Sequence, residues 1–258
     1  MAAPVRMTLT DEQMAELFGL IKGSDSVELK LTVPEEHQRS ALTALGVDPL
    51  DAQIRQVYFF ETPRLELDAA GVVVRARRIQ GKGGDSIVKL RPVVPDTLPA
   101  ELRTSASFRV EVDALPGGYV CSATMKGTPT AEDVRSTVRG ERPIRKLFSK
   151  EQRAYYAAHA PEGIGLDDLT MLGPIFVLKG KLDLRDLPDR RLAVEMWLYP
   201  DGSRLLELST RVGTGEAFQA AAELRAHLTG LGIDLSGDQE TKTKKALAYF
   251  VGTPHEGE

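Results

Sequence analysis

Cysteine is nearly absent. Cys121 is the only one among 258 residues, so no intrachain disulfide can form. That fits a reducing compartment, and a small, buried or half-buried thiol is the expected state of Cys121. No apolar run approaches the roughly 20 residues that a membrane-spanning helix needs. The opening stretch MAAPVRMTLT lacks the apolar segment of a secretory signal. A cytoplasmic protein is expected. There is no repeat at solenoid periods and no low-complexity tract. There is also no excess of positive charge. The 33 Lys and Arg stand against 37 Asp and Glu, for a net charge of −4. This argues against a general nucleic-acid or polyanion coat, so any basic site has to be local.

What is present describes an ordinary globular chain, 42% hydrophobic and 27% charged, long enough for one domain or two. LTDEQMAELFGLIKG predicts a first helix. Thr10 caps it, Gln13 completes a capping box, Met14, Leu17, Phe18 and Ile21 form its apolar stripe, and Gly23 ends it. Strand patterns then accumulate. They cover SVELKLTV, QIRQVYFF, AGVVVRARR, DSIVKLRPVV, SFRVEVDAL, IFVLKGKLDLRDL, RRLAVEMWLY and RLLELSTRV, the last two joined by the turn PDGS. EEHQRSALTALG reads as a helix, and the pattern from about 120 to 160 reads as helical. TGEAFQAAAELRAHLTGLG and QETKTKKALAYF predict two more helices. The expected fold class is α+β, mainly β: an eight-stranded antiparallel barrel with flanking helices. Residues 1–24 are read as an N-terminal helical extension, 25–251 as the barrel domain and 252–258 as a disordered tail.

The polar faces of these strands carry a repeated type of residue. They hold Glu28 and Lys30; Arg75 and Arg77; Lys89 and Arg91; Arg109, Glu111 and Asp113; Lys179, Lys181, Asp183 and Arg185; Glu195; Glu207 and Arg211. The opposite faces are Val, Leu, Ile, Phe or Ala almost throughout. If helices cover the apolar faces, the charged faces line a polar tunnel. Clustered bases would repel one another there unless an anion joined them. Guanidinium groups match phosphate oxygens, and carboxylates opposite them suit a divalent cation. On alternation alone, a solvated outer face of a half-buried sheet explains the same pattern.

The order of motifs adds to this. SVELKL, then FFETP with Leu65 two residues on, then AAGVVVRARR, IVKLR and FRVEVD, resembles the CYTH family of triphosphate tunnel metalloenzymes. That family includes class IV adenylyl cyclases, thiamine triphosphatases and inorganic triphosphatases. The resemblance runs from about Ser26 to about Phe250. It implies a tunnel barrel that grips a triphosphate-containing small molecule and binds Mg2+ or Mn2+. By position, Lys30, Arg75, Arg77, Lys89, Arg91, Arg109 and Lys179 would hold phosphates. Glu28, Glu111, Asp113 and Glu207 would be metal ligands, and Lys30 and Glu28 would serve catalysis. A monomer or homodimer is expected, with neither a nucleic-acid nor a membrane partner.

Two departures from the family pattern matter. Ser26 and Ser209 stand where that family has carboxylates, which predicts weaker metal binding and a more basic tunnel. The reading that follows is a divalent-metal-dependent phosphohydrolase. The alternatives are a module that binds a triphosphate without hydrolysis and, ranked last, an adenylyl cyclase. Asp183, Arg185 and Arg211 are expected in ordinary ion pairs. ETKTKK is expected to be a solvated helix face, with bases at a tunnel mouth as the other reading.

Overall fold

A computed structural model describes residues 10–184, 186–187, 189–235, 239 and 242–252. Nine strands run β1 (Ser26–Val33), β2 (Gln53–Glu61), β3 (Val72–Ile79), β4 (Gly84–Leu90), β5 (Phe108–Leu115), β6 (Gly118–Gly127), β7 (Thr170–Asp183), β8 (Arg191–Leu198) and β9 (Arg204–Val212). Among the described residues eight α-helices accompany them: α1 (Asp11–Lys22), α2 (Gln38–Ala44), α3 (Glu66–Ala69), α4 (Ala100–Arg103), α5 (Ala131–Val138), α6 (Lys150–Ala157), α7 (Ala217–Gly230) and α8 (Lys242–Gly252). The strands close into a barrel in the order β1-β5-β6-β4-β3-β2-β7-β8-β9, and β9 returns to β1.

The expected mainly-β barrel with helices is present, but it has nine strands rather than eight. The extra strand is β6, in a stretch read as helical. Tyr119, Cys121, Ala123 and Met125 alternate with Val120, Ser122, Thr124 and Lys126. Most of the second set are small and neutral, so alternation gave little contrast. Nor is the barrel wholly antiparallel: β1 and β5 pair in parallel. An odd number of strands around a closed ring cannot all alternate in direction, so at least one seam must be parallel.

The apolar faces point outward under the helices. Val27, Leu29, Leu31 and Val33 of β1 join Leu17 and Ile21 of α1, and Leu224 and Leu228 of α7, in one buried cluster. Thr10 and Gln13 form the expected capping box of α1. Phe18, expected on its buried stripe, is instead exposed and packs on Phe218 of α7 with ring centroids 5.0 Å apart. Cys121 is buried and unpaired, as expected.

The inner face is polar over only part of its length. Toward one end, Val57, Phe59, Val73, Val177, Trp197 and Leu205 form a second apolar cluster, and Ala246 and Leu247 of α8 are buried in it. The C-terminal helix therefore fills that end of the barrel. Residues 253–258, most of the expected tail, lie outside the described residues, as does Arg185. Among the described residues no helix is long and apolar enough to cross a membrane.

Gly71, just before β3, has φ +72°, and a Cβ there would come within 2.6 Å of the Arg91 carbonyl oxygen. The Arg91 amide donates to the Gly71 carbonyl at 2.8 Å. This close approach fixes Arg91, the residue just past the end of β4. Gly71→Ala should cost about 1–3 kcal/mol, read as a lower midpoint in urea unfolding; an unchanged midpoint would show that the strand ends can part without cost.

Candidate functional site

The charged inner faces converge on a cavity of about 430 Å³. Each sequence-predicted site residue but one lines it: Glu28, Lys30, Arg75, Arg77, Lys89, Arg91, Glu111, Asp113, Lys179 and Glu207. Arg109 does not. It is exposed, and its guanidinium turns back to donate to the Phe108 carbonyl at 2.6 Å. It shares the strand face of Glu111 and Asp113 but is not among the residues that line the cavity.

Arg55, Asp85, Lys126 and Lys242 also line the cavity, wall residues that sequence reading missed; Glu195 and Arg211, placed on the charged strand faces but given no site role, line it too. Arg55 follows from alternation two residues before Val57, but its strand ends in an apolar inner face that hid the pattern. Arg211, expected in an ordinary ion pair, lies 3.0 Å from Glu111 and 3.9 Å from Glu28. Asp183 pairs outside, with Arg191 at 2.7 Å. Lys242, read as part of a solvated helix face, enters from α8.

Strand register sets the pairs. Asp113, its side chain 2% exposed, lies 2.8 Å from Lys30 and 3.5 Å from Lys89. Burial alone would raise its pKa, but Lys89 and Lys30 outweigh burial and hold it well below the usual carboxylate range. Burial would lower Lys30. Asp113 and Glu28, the latter 3.2 Å away, outweigh it and hold the ammonium protonated far above its usual range. Lys30 is therefore a fixed cation, not a base that accepts a proton near neutrality.

Across β3 and β4, Arg77 faces Asp85 and binds it through Nε at 2.8 and 3.0 Å and Nη2 at 2.6 Å. Lys179, Glu195 and Glu207 follow one another across β7, β8 and β9. Lys179 reaches Glu195 Oε1 at 2.6 Å, while Lys242 bridges Glu195 Oε2 and Glu207 Oε1 at 2.7 Å each.

The bases outnumber the acids. Ten Lys and Arg line the cavity against six Asp and Glu, in a chain whose total charge is negative. Among the described residues no carboxylate lies within ion-pair distance of Arg75 or Arg91. The Arg75 Nε is buried and has no hydrogen-bond partner. Burial, reinforced by neighbouring Arg77, pulls its pKa down to about 10. It stays charged at neutral pH, at a cost that an anion between the bases would remove.

Each carboxylate expected as a metal ligand is engaged by a base of the chain itself. Glu28 has Lys30, Glu111 has Arg211, Asp113 has Lys30 and Lys89, and Glu207 has Lys242. Among the described residues no three Asp, Glu, His or Cys form a group that could hold a metal ion. The residues as arranged do not fit a divalent cation.

No model of a known protein family matches the chain, and no curated protein matches it. Solved structures do. One is the Hippeastrum protein HpAC1, described as a candidate adenylyl cyclase with a dominant triphosphatase activity. It is 14% identical, with a TM-score of 0.64 over 86% of this chain and 95% of its own. Another is a candidate adenylate cyclase of Bacillus halodurans, also 14% identical, with a TM-score of 0.60 over 86% of this chain and 97% of its own. The chain has the fold of these proteins. The barrel implied by the sequence resemblance is thus present over 86% of the chain.

Proposed function

We propose that the tunnel takes in the phosphate chain of a triphosphate compound and that the chain hydrolyses its terminal anhydride bond. The observation that carries this is the wall itself, with four more bases than acids and a buried guanidinium, Arg75, whose Nε has no partner. An extended row of phosphate oxygens matches such a wall. α8 fills one end, so the phosphates enter from the other, where Lys126 and Arg211 are 43% and 51% exposed. In hydrolysis, water oxygen bonds to the terminal phosphorus as the bridging P–O bond breaks; the bridging oxygen keeps the electron pair and leaves on the diphosphate part, the water's proton passes to solvent, and orthophosphate is released. The fixed cations stabilise the charge that develops on the leaving diphosphate oxygens. The triphosphatase named for the Hippeastrum protein supports the reading by likeness of fold.

A second reading is retention without turnover. It is favoured by Lys30, which is held protonated, and by carboxylates that are all occupied by bases. One experiment separates the two. Tripolyphosphate at about 100 times its dissociation constant should stabilise the fold by about 2.7 kcal/mol, a midpoint rise of roughly 5–10 °C for a chain of this size. Phosphate appearing in the same tubes supports hydrolysis, and a shift without release supports retention. Cyclic AMP appearing from ATP by mass spectrometry would replace both with the cyclase reading. No shift at all would return the charged faces to a structural role.

A further inference from the structure

Lys242 begins α8, and the helix's own packing carries it into the barrel. Ala246, one turn on and on the same face, is fully buried, and Leu247 is 4% exposed in the cluster that fills the barrel end. Tyr199 hydroxyl donates to the Lys242 carbonyl at 3.5 Å, and Gln239, just before the helix, accepts from the Thr32 amide at 2.8 Å. So seated, Lys242 places Nζ 2.7 Å from Glu195 Oε2 and 2.7 Å from Glu207 Oε1, and 5.4 Å from the centre of the Trp197 ring. Glu195 and Glu207 are register partners on adjacent strands, each side chain about 5% exposed. Two such carboxylates side by side repel each other unless a cation joins them.

We infer that Lys242 is the resident cation of the Glu195–Glu207 pair, and that a divalent ion reaches these carboxylates only when this ammonium is removed. A hard divalent ion bridging the two oxygens would bind them at about 2.0–2.6 Å, in the space the ammonium takes up. The two cations would also repel at that range. Both Glu195 oxygens are otherwise engaged as well, Oε1 by Lys179 at 2.6 Å and Oε2 by the Trp197 Nε1–H at 3.3 Å. The chain thus supplies by a tethered side chain the positive charge that carboxylates of this kind otherwise take from solution. The inference stands apart from what the tunnel binds, since its probe is Mn2+ alone.

The test is Mn2+ binding to the full chain without phosphate, followed by electron paramagnetic resonance. Lys242→Gln should bind Mn2+ at least about tenfold more tightly than the wild type, and Lys242→Gln with Glu207→Gln should lose that gain. Equal or tighter binding by the wild type would overturn the inference, as would a gain that survives removal of Glu207. If Lys242→Gln does not fold, the single variant Glu207→Gln decides. It should leave wild-type Mn2+ binding unchanged, and a weakening there would show that Glu207 already holds the ion beside Lys242.

Discussion

Asp113→Asn is expected to lower the melting midpoint by on the order of 10 °C. Asp113 is the one carboxylate between Lys30 and Lys89, at 2.8 and 3.5 Å. Removing one partner of a buried ion pair costs about 3–5 kcal/mol, because the remaining charges stay desolvated and uncompensated. At roughly 2–4 °C per kcal/mol for a chain of this size, that gives the stated fall. Calorimetry checks it, and added tripolyphosphate should return part of the loss by standing in as the anion. The pH dependence has a definite sign. Asp113 is held below the ordinary carboxylate range when folded, so the unfolded chain binds its proton first. The stabilisation is complete above the unfolded value, about 4, and is lost as pH falls through the native value below it. The variant should therefore show a shallower loss of stability in acid than the wild type. A fall of only a degree or two at pH 7 would show that water in the cavity already screens both lysines.

Arg75→Met should do the opposite in the absence of ligand. It removes a guanidinium with no carboxylate partner among the described residues and an unpaired Nε and puts an apolar side chain of similar length in its place. Replacing a buried charge in this way stabilises by about 1–4 kcal/mol in favourable cases. The low end suits a group on a cavity wall, so the midpoint should rise by a few degrees. The same variant should lose most of the midpoint rise given by tripolyphosphate and most of any phosphate release. A stabler protein with a weakened ligand response would show that Arg75 is kept for the anion and not for the fold. A destabilised variant that still responds to tripolyphosphate would sink that assignment.

Much of this arrangement was legible in the sequence, for a reason visible in VELKLTV. A barrel strand covered outside by helices and lined inside by charge must alternate, and Glu28, Lys30, Arg75, Arg77, Lys89, Glu111, Asp113 and Lys179 all sit on alternating positions. Their inward direction followed from the need to cover the apolar faces. Where the contrast between faces weakened, the reading failed. β6 carries Ser122 and Thr124 where its neighbours carry charge, and β2 carries Phe59 on its inner face and so concealed Arg55. Arg109 obeyed the alternation but does not line the cavity, and alternation gives direction without depth. Lys242 could not have been found from its local pattern. Three lysines in six residues look like a solvated helix face, and only the packing of Ala246 and Leu247 into the barrel end tells which of them is buried.

Closure of the ring by β1 and β9 has a consequence for how the protein is made. Val27 pairs with Val212 and Val33 with Leu206, so the seam joins the first strand to the last, with most of the sequence between them. Contacts of such sequence separation form slowly, because the loop entropy is lost before the contact rewards it. During synthesis β1 is the first strand to emerge and has no partner until β5 is complete, and its second edge stays open until β9 has left the ribosome. Its alternation of apolar and charged residues keeps that waiting edge from being uniformly sticky, and closure then leaves no edge for another chain to join.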